Sequence, residues 1–330
     1  MANLLSHKLS VAPMMDWTDR HCRYLHRLIS RHTLLYTEMV TAPALVRGGA
    51  RRLLKFDDAE HPIALQLGGS DPDELAEAAV MGEAEGYDEI NLNVGCPSDR
   101  VQSGTFGAVL MKSPDLVARC LSEMQSRVSV PVTVKCRIGV DDQSPEEVLP
   151  DFLRHMVDEG VGHVAIHARK AWLQGLSPKE NREIPPLDYD LVFQMVSEFP
   201  KLSIALNGGV GSLDQALNFL NRGVDGVMIG RAAYHSPWDI LGSADKDVFK
   251  DQSPFQRPEE VVEAMVPYIE RHLAEDGRLH SVTRHMLGLF AGRPGARLWR
   301  RVLSEGAHRK DAGVDVLRDA LSAVLEQRAA

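Results

Sequence analysis

Chemistry is legible first in Asn91-Leu92-Asn93-Val94-Gly95-Cys96-Pro97-Ser98. Leu92 and Val94 alternate with Asn91 and Asn93, so in a strand the two asparagines share one face. Gly95 breaks the strand and Pro97 stiffens the loop beyond it. Cys96 is thereby presented on a loop rather than packed in a core. Gly104 and Gly107 come next, in a loop that could move over a substrate. The four cysteines, Cys22, Cys96, Cys120 and Cys136, are far apart and form no C-x-x-C pair. Neither a disulfide framework nor a zinc site is suggested. A cysteine of this kind is most often a small buried hydrophobe. Cys96 is the exception by its setting.

Three further sets carry chemistry. Lys135 sits in the alternating run Val132-Thr133-Val134-Lys135-Cys136-Arg137. A buried lysine needs an anionic partner or a depressed pKa. It could steady negative charge on a bound cofactor or form a Schiff base as in an aldolase. His167 closes the apolar run that begins at His163. Asn207-Gly208-Gly209-Val210-Gly211 and Gly230-Arg231 come after two more apolar runs. Glycines there let backbone N–H groups approach an anion, and a helix N-terminus behind them adds a favourable dipole. The expected ligand is a phosphate, on a substrate or on a cofactor.

The elements that must hold these residues recur as one unit. A short apolar run ends in polar or glycine-rich residues, and a helical pattern comes next. Strands are expected at Leu9–Val11, Leu34–Tyr36, Ile63–Leu67, Glu89–Asn93, Val132–Arg137, His163–His167, Ser203–Leu206 and Gly226–Ile229. Helices are expected between them, as at Pro72–Glu85, Pro114–Arg127, Pro145–Glu159 and Leu213–Arg222. Eight such units suggest an α/β fold, a (β/α)8 TIM barrel, over a doubly wound sheet. In that barrel the special residues fall at the C-terminal strand ends, where active sites lie: Pro13-Met14-Met15, Gln66, Asn91 to Pro97, Lys135, His167, Asn207 to Gly209, and Gly230-Arg231.

Residues 1–242 form the barrel in this reading, and 243–257 read as a linker. Residues 258–330 read as a small bundle, with helices at Pro258–Glu275, Val282–Ala291, Ala296–Ala307 and Val314–Gln327. No apolar run approaches the about 20 residues of a membrane helix. Met1 to Val11 lacks the apolar core of a signal peptide, so a cytoplasmic location is expected. The net charge of −9 argues mildly against nucleic-acid binding unless cations are gathered locally. They are gathered: Arg284, Arg293, Arg297, Arg300, Arg301, Arg309 and Lys310 share their stretch with Glu305 as its only acid. The long connection from Ala168 to Tyr189 adds Lys170, Lys179 and Arg182. Together they could line a basic cleft between barrel and bundle.

With these motifs the chain resembles the tRNA-dihydrouridine synthases. The likeness runs through Ala12-Pro13-Met14, Asp16 to Asp19, Gln66-Leu67, Asn91 to Pro97, Lys135-Cys136-Arg137, His167-Ala168-Arg169, Asn207-Gly208-Gly209 and Gly230-Arg231. Arg169 to Trp172, Leu176 to Arg182 and Pro294 to Arg297 look like the A-type bacterial subfamily, which acts on D-loop uridines at tRNA positions 20 and 20a. The resemblance implies FMN at the barrel mouth, reduced by NADPH. It implies FMN contacts from Pro13, Met14, Met15, Gln66, Lys135, His167, Asn207, Gly208, Gly209, Gly230 and Arg231. Cys96 would be the proton donor. Asn93, Lys179, Arg182, Arg297 and Arg300 would meet the tRNA. A general acid must be the neutral thiol, so no Lys or Arg is expected against the Cys96 sulfur. No metal is implied, no G-x-G-x-x-G fingerprint marks a dinucleotide site, and a monomer suits a protein that must embrace a tRNA. The alternatives left open are a dihydroorotate dehydrogenase-like FMN barrel, a Schiff-base aldolase and a non-catalytic RNA-binding barrel.

Overall fold

The computed structural model describes residues 5–97 and 106–329. These form a closed barrel of eight parallel strands: β1 (Leu9–Val11), β2 (Leu34–Tyr36), β3 (Ile63–Gly68), β4 (Glu89–Val94), β5 (Val132–Arg137), β6 (His163–His167), β7 (Ser203–Asn207) and β8 (Gly226–Ile229). Neighbours in sequence pair in register, and β8 returns to β1 through Leu9↔Val227 and Val11↔Ile229. Leu35↔Ile63 joins β2 to β3, so the ring has no open edge. A two-residue strand, Val40–Thr41, continues the pairing at the end of β3.

Alternation explains what each strand buries. Ile90, Leu92 and Val94 on β4, and Val132, Val134 and Cys136 on β5, pack outward into the large apolar core shared with the helices. The opposite parity faces the barrel interior. There a second, small apolar cluster gathers Leu34, Tyr36, Ala64, Ala165, Ala205 and Met228. The helices around the barrel include α1 (Arg20–Ile29), α2 (Pro72–Glu85), α3 (Pro114–Arg127), α4 (Pro145–Asp158), α5 (Tyr189–Glu198), α6 (Leu213–Asn221) and the single-turn α7 (Arg231–His235). Asp71 caps α2 by accepting from Glu74 N ahead of Pro72, whereas Ser113 and Ser144, ahead of Pro114 and Pro145, make no side-chain cap.

Residues 243–257, expected as a linker, include a helical turn α8 (Ala244–Asp247) tied to the barrel. Buried Asp245 accepts from Ser30 Oγ at 2.5 Å and Arg31 N at 2.7 Å. After it come α9 (Pro258–Ala274), α10 (Leu279–Thr283), α11 (Ala296–Gly306) and α12 (Val314–Ala329). The helix expected over Val282–Ala291 is corrected: helix ends at Thr283 and turns run from 284 to 292. Packing explains it. The Trp299 indole donates to Met286 O at 2.8 Å, a carbonyl a helix would need, and Gly288 lies so close to His235 O that an added Cβ would stand 2.4 Å from it. No helix among the described residues is long and apolar enough to cross a membrane.

Asp19 latches the last helices to the barrel. It caps α1 by accepting from His21 N and Cys22 N, and it pairs with Arg284 at 2.6 Å and His285 at 3.0 Å. Burial works to raise its pKa, but the hydrogen bond and charge of His285 win and hold the carboxyl below its usual range. Asp19→Ala is expected to destabilise the protein by about 3 kcal/mol, since it removes a cap and leaves half-buried Arg284 and buried His285 without their carboxylate partner. Because the folded pKa is lowered, that contribution is full above about pH 4 and erodes as pH falls further. Urea denaturation of both proteins between pH 3 and pH 7, roughly the span where carboxylates titrate, checks it.

Candidate active site

The inner faces of β3, β4 and β5 carry a continuous polar ladder. Asn93 Nδ2 donates to Gln66 Oε1 at 2.8 Å, and Gln66 Nε2 to Asn91 Oδ1 at 2.9 Å. Asn91 Nδ2 donates to Thr133 Oγ1 at 2.8 Å. At the mouth, Asn93 Oδ1 accepts from Gly95 N at 3.0 Å and Cys96 N at 2.9 Å. The short loop is held from two other sides as well. Arg137 Nε donates to Gly95 O at 2.9 Å, and Ala108 N donates to Cys96 O at 2.9 Å. Cys96 is thus a half-buried thiol on a loop whose backbone is fixed at both carbonyl and amide. Asn93, expected at the uracil edge, uses its oxygen to shape this loop and one Nδ2 hydrogen on Gln66. The expected moving loop around Gly104 lies outside the described residues.

Cations converge on the same mouth. Lys135 lies two residues beyond Thr133 on β5, and Arg137 two beyond Lys135, so all three point inward. Lys135 is half-buried; desolvation, with Arg137 beside it, draws its pKa down to about 8. Burial takes Arg137 to about 10, with Arg182 and Arg169 adding to the fall. His167 is pushed well below the imidazole range by burial first and then by Arg137, Lys135, Arg169 and Arg182. It is neutral at pH 7. Among the described residues the cluster's one ion pair is Arg231 with Glu183, at 2.7 Å. So many positive groups that repel one another are stable where an anion completes the site. Cys96 works in the opposite sense on Lys135, Arg137 and Arg182, raising their pKa values against the fall that burial causes.

The cradle lies beside this cluster. Gly208 has φ +109° and Gly209 φ +69°, both in the region that favours glycine. A Cβ on Gly208 would stand 2.4 Å from His167 Cδ2, and one on Gly209 2.5 Å from Leu187 Cδ1. Only bare backbone fits under the imidazole. Tyr189 OH donates to Gly208 O at 2.8 Å, and Asn207 Nδ2 to Met228 O at 2.7 Å, fixing the turn. From the first strand, Met14 closes the ring: its sulfur comes within 3.7 Å of where a Gly230 Cβ would be. Met15 is 55% exposed, and Thr18 Oγ1 ties back to Met14.

The structure therefore places Pro13, Met14, Met15, Gln66, Asn93, Cys96, Lys135, His167, Asn207, Gly208, Gly209, Gly230 and Arg231 at the strand ends of one barrel face. Arg182 joins them through the 3-10 turn Glu180–Arg182, and exposed Lys179 precedes it. Buried Asn181 organises this long connection by bonding to Trp172 N, Trp172 O and Leu176 O. Arg297 and Arg300, with Arg293 and Arg301, line a depression of about 640 Å³ that ends at Gln327. The long connection folds over the barrel mouth: Arg137 Nη1 donates to Lys170 O and Asn181 O. Arg137 and Arg169 were not singled out as ligands, although Arg137 shares the parity of Lys135. That signal was available.

An α/β barrel with a tight glycine turn, a cationic mouth and a loop-held thiol at its C-terminal strand ends is the class this chain defines. Residues 10–326 match the family model described as dihydrouridine synthase, and the chain belongs to that family. It is 56% identical over 320 residues to the tRNA-dihydrouridine(20/20a) synthase of Vibrio parahaemolyticus, covering 97% of each chain. It is 56% identical over 324 residues to the protein of that name from Escherichia coli K12, covering 98% of this chain and 93% of the relative. The Shewanella oneidensis protein of the same name is 54% identical over 320 residues, 97% of this chain and 95% of the relative.

Proposed function

We propose that this chain reduces uridine to 5,6-dihydrouridine in the D-loop of tRNA, at positions 20 and 20a, with FMN as cofactor and NADPH as reductant. The observation that carries the reading is the cluster of Lys135, Arg137, Arg169, Arg182 and Arg231 around the Gly208–Gly209 turn, one loop away from Cys96. Such a site fits a flavin phosphate: bare glycine backbone for close approach and cations with a single carboxylate among them. Pro13, Met14, Met15, Gln66, Lys135, His167, Asn207, Gly208, Gly209, Gly230 and Arg231 would hold the cofactor. FMN held there by these residues would supply the hydride for uracil C6. Lys135 sets positive charge at the mouth while it stays protonated. Cys96 gives its proton to uracil C5. The base must leave its stack to reach this depth.

The names of the close relatives support tRNA as substrate. In this reading the chain acts in the cytoplasm as a monomer, residues 1–242 carry the chemistry, and residues 258–330 bind tRNA across Arg297 and Arg300. Lys179 and Arg182 meet it from the barrel side. Arg297→Ala is expected to weaken tRNA binding and to lower the slope of log affinity against log salt by about one. Equilibrium binding over a salt series checks this. Substrate class is tested by incubating purified, yellow protein and NADPH with unmodified tRNA or with free uridine. Reduction of tRNA alone is expected; equal reduction of free uridine would favour a small-pyrimidine enzyme.

A further inference from the structure

The ladder beneath Cys96 does not stop at Asn91. Thr133 Oγ1 donates onward to Glu89 Oε1 at 2.5 Å. Glu89 is 0% exposed, at the first residue of β4, four residues below Asn93 on the same inner face. Its carboxylate also accepts from Tyr36 OH at 2.8 Å and is bonded to His7 Nε2 at 2.6 Å. His7 in turn stacks on His163, with ring centroids 3.6 Å apart, and His163 Nδ1 bonds Ser203 Oγ at 2.9 Å.

Every bond from the mouth to this carboxylate runs in one direction. Gly95 N–H and Cys96 N–H donate to Asn93, Asn93 to Gln66, Gln66 to Asn91, Asn91 to Thr133, and Thr133 to Glu89. Three of the links are side-chain amides, whose oxygen and nitrogen could be exchanged by a half-turn. The ends forbid that exchange. Backbone N–H groups at the top can only donate, so the Asn93 oxygen must face them and each amide below is oriented in turn, down to the Thr133 hydroxyl that donates to Glu89. A chain of this kind polarises along its length, and burial makes a reversed or broken link expensive.

We propose that Glu89 is a positioning residue for Cys96, orienting Asn91, Gln66 and Asn93 from the far end of the barrel interior so that Asn93 holds the loop that carries the thiol. The catalytic part of this rests on Cys96 as proton donor; the structural part does not. Glu89→Gln keeps the size and adds an NH2 group that must face Thr133, Tyr36 or His7. If it faces Thr133, the hydroxyl either accepts from two NH2 groups and loses its own acceptor, or Asn91, Gln66 and Asn93 each reverse and Asn93 presents NH2 to two backbone N–H groups. Thr133→Val cuts the same ladder at its hydroxyl and leaves the carboxylate in place.

Hydrogen exchange on the unliganded protein reads the structural claim. In both variants, exchange in peptides covering residues 94–97 is expected to accelerate by about ten-fold, with peptides of 72–85 unchanged. Unchanged exchange at 94–97 in either folded variant, or equal acceleration at 72–85, would overturn it. Kinetics on the holoenzyme then read the route to Cys96. Glu89→Gln is expected to slow reoxidation by tRNA about ten-fold with a larger solvent isotope effect, and to leave reduction by NADPH unchanged. In a Cys96→Ala background Glu89→Gln is expected to add less than a two-fold further loss, because the two act on one step. A full additive loss there overturns the positioning role even if Cys96 is confirmed. If Cys96→Ala has no effect on reoxidation, the proton-donor reading itself fails, and the exchange result still judges the ladder. If Glu89→Gln does not fold, Thr133→Val carries every arm of the test.

Discussion

Replacing Cys96 with alanine is expected to slow dihydrouridine formation by about 10²- to 10⁴-fold, the range of a lost general acid. Flavin content, tRNA affinity and melting temperature should stay close to those of the unaltered protein. The reason is local. The loop around Cys96 is held through its backbone, by Asn93 on the amides of Gly95 and Cys96, by Arg137 on Gly95 O and by Ala108 on Cys96 O. None of these bonds uses the thiol, so its removal takes away a proton and leaves the scaffold. Single-turnover reoxidation by tRNA separates this from a defect in flavin reduction. A variant that reduces flavin slowly but still passes its electrons to tRNA at the normal rate would assign the thiol elsewhere.

The second large effect is expected at Lys135. Lys135→Met should weaken flavin binding on the order of 10²-fold, as truncating one member of a buried charge pair does. The unliganded variant should nonetheless melt above the unaltered protein at pH 7. Folding holds the Lys135 pKa at about 8, through burial and the neighbouring Arg137, below the value of about 10.4 in an unfolded chain. Between these values the unfolded chain carries a proton that the folded one lacks. Stability of the unliganded protein therefore rises as pH climbs through that window, and below about pH 8 the buried charge is a cost. Methionine removes the cost. Flavin affinity shows the opposite trend, falling as pH rises through about 8 while Lys135 discharges, and the variant should show no such fall. Calorimetry without ligand and flavin titration from pH 6 to pH 10, roughly the window of this lysine, give both halves.

The barrel was legible because its signals are local. Short apolar runs closed by glycine or a polar residue, with Asp-Pro or Ser-Pro opening the helices after β3, β4 and β5, place β3 to β8 within a residue of their observed ends. Alternation placed Asn91 with Asn93 and turned Lys135 inward. The same rule, carried further, reaches Arg137 above Lys135 and Glu89 below Asn91; what it could not supply is that Tyr36, His7 and Thr133 meet on Glu89, since they come from separate strands and loops. The failures share that cause. Helix propensity runs through 284–291, yet Trp299 claims the Met286 carbonyl and Gly288 abuts His235. The polar composition of 243–257 reads as a linker, yet Asp245 is drawn into the turn after α1. Asn93 is expected at the tRNA, and only the positions of Gly95 N and Cys96 N show that its oxygen also staples the loop.

The most direct measurement is a map of dihydrouridine in the tRNA of cells lacking this protein, with the gene restored as wild type or as Cys96→Ala. The expected result is loss of dihydrouridine at D-loop positions 20 and 20a, with the other dihydrouridine positions kept. Wild type should restore those sites and Cys96→Ala should not. Unchanged dihydrouridine at both positions in the deleted cells, or full restoration by Cys96→Ala, would contradict the assignment of this chain as the enzyme and of Cys96 as its proton donor.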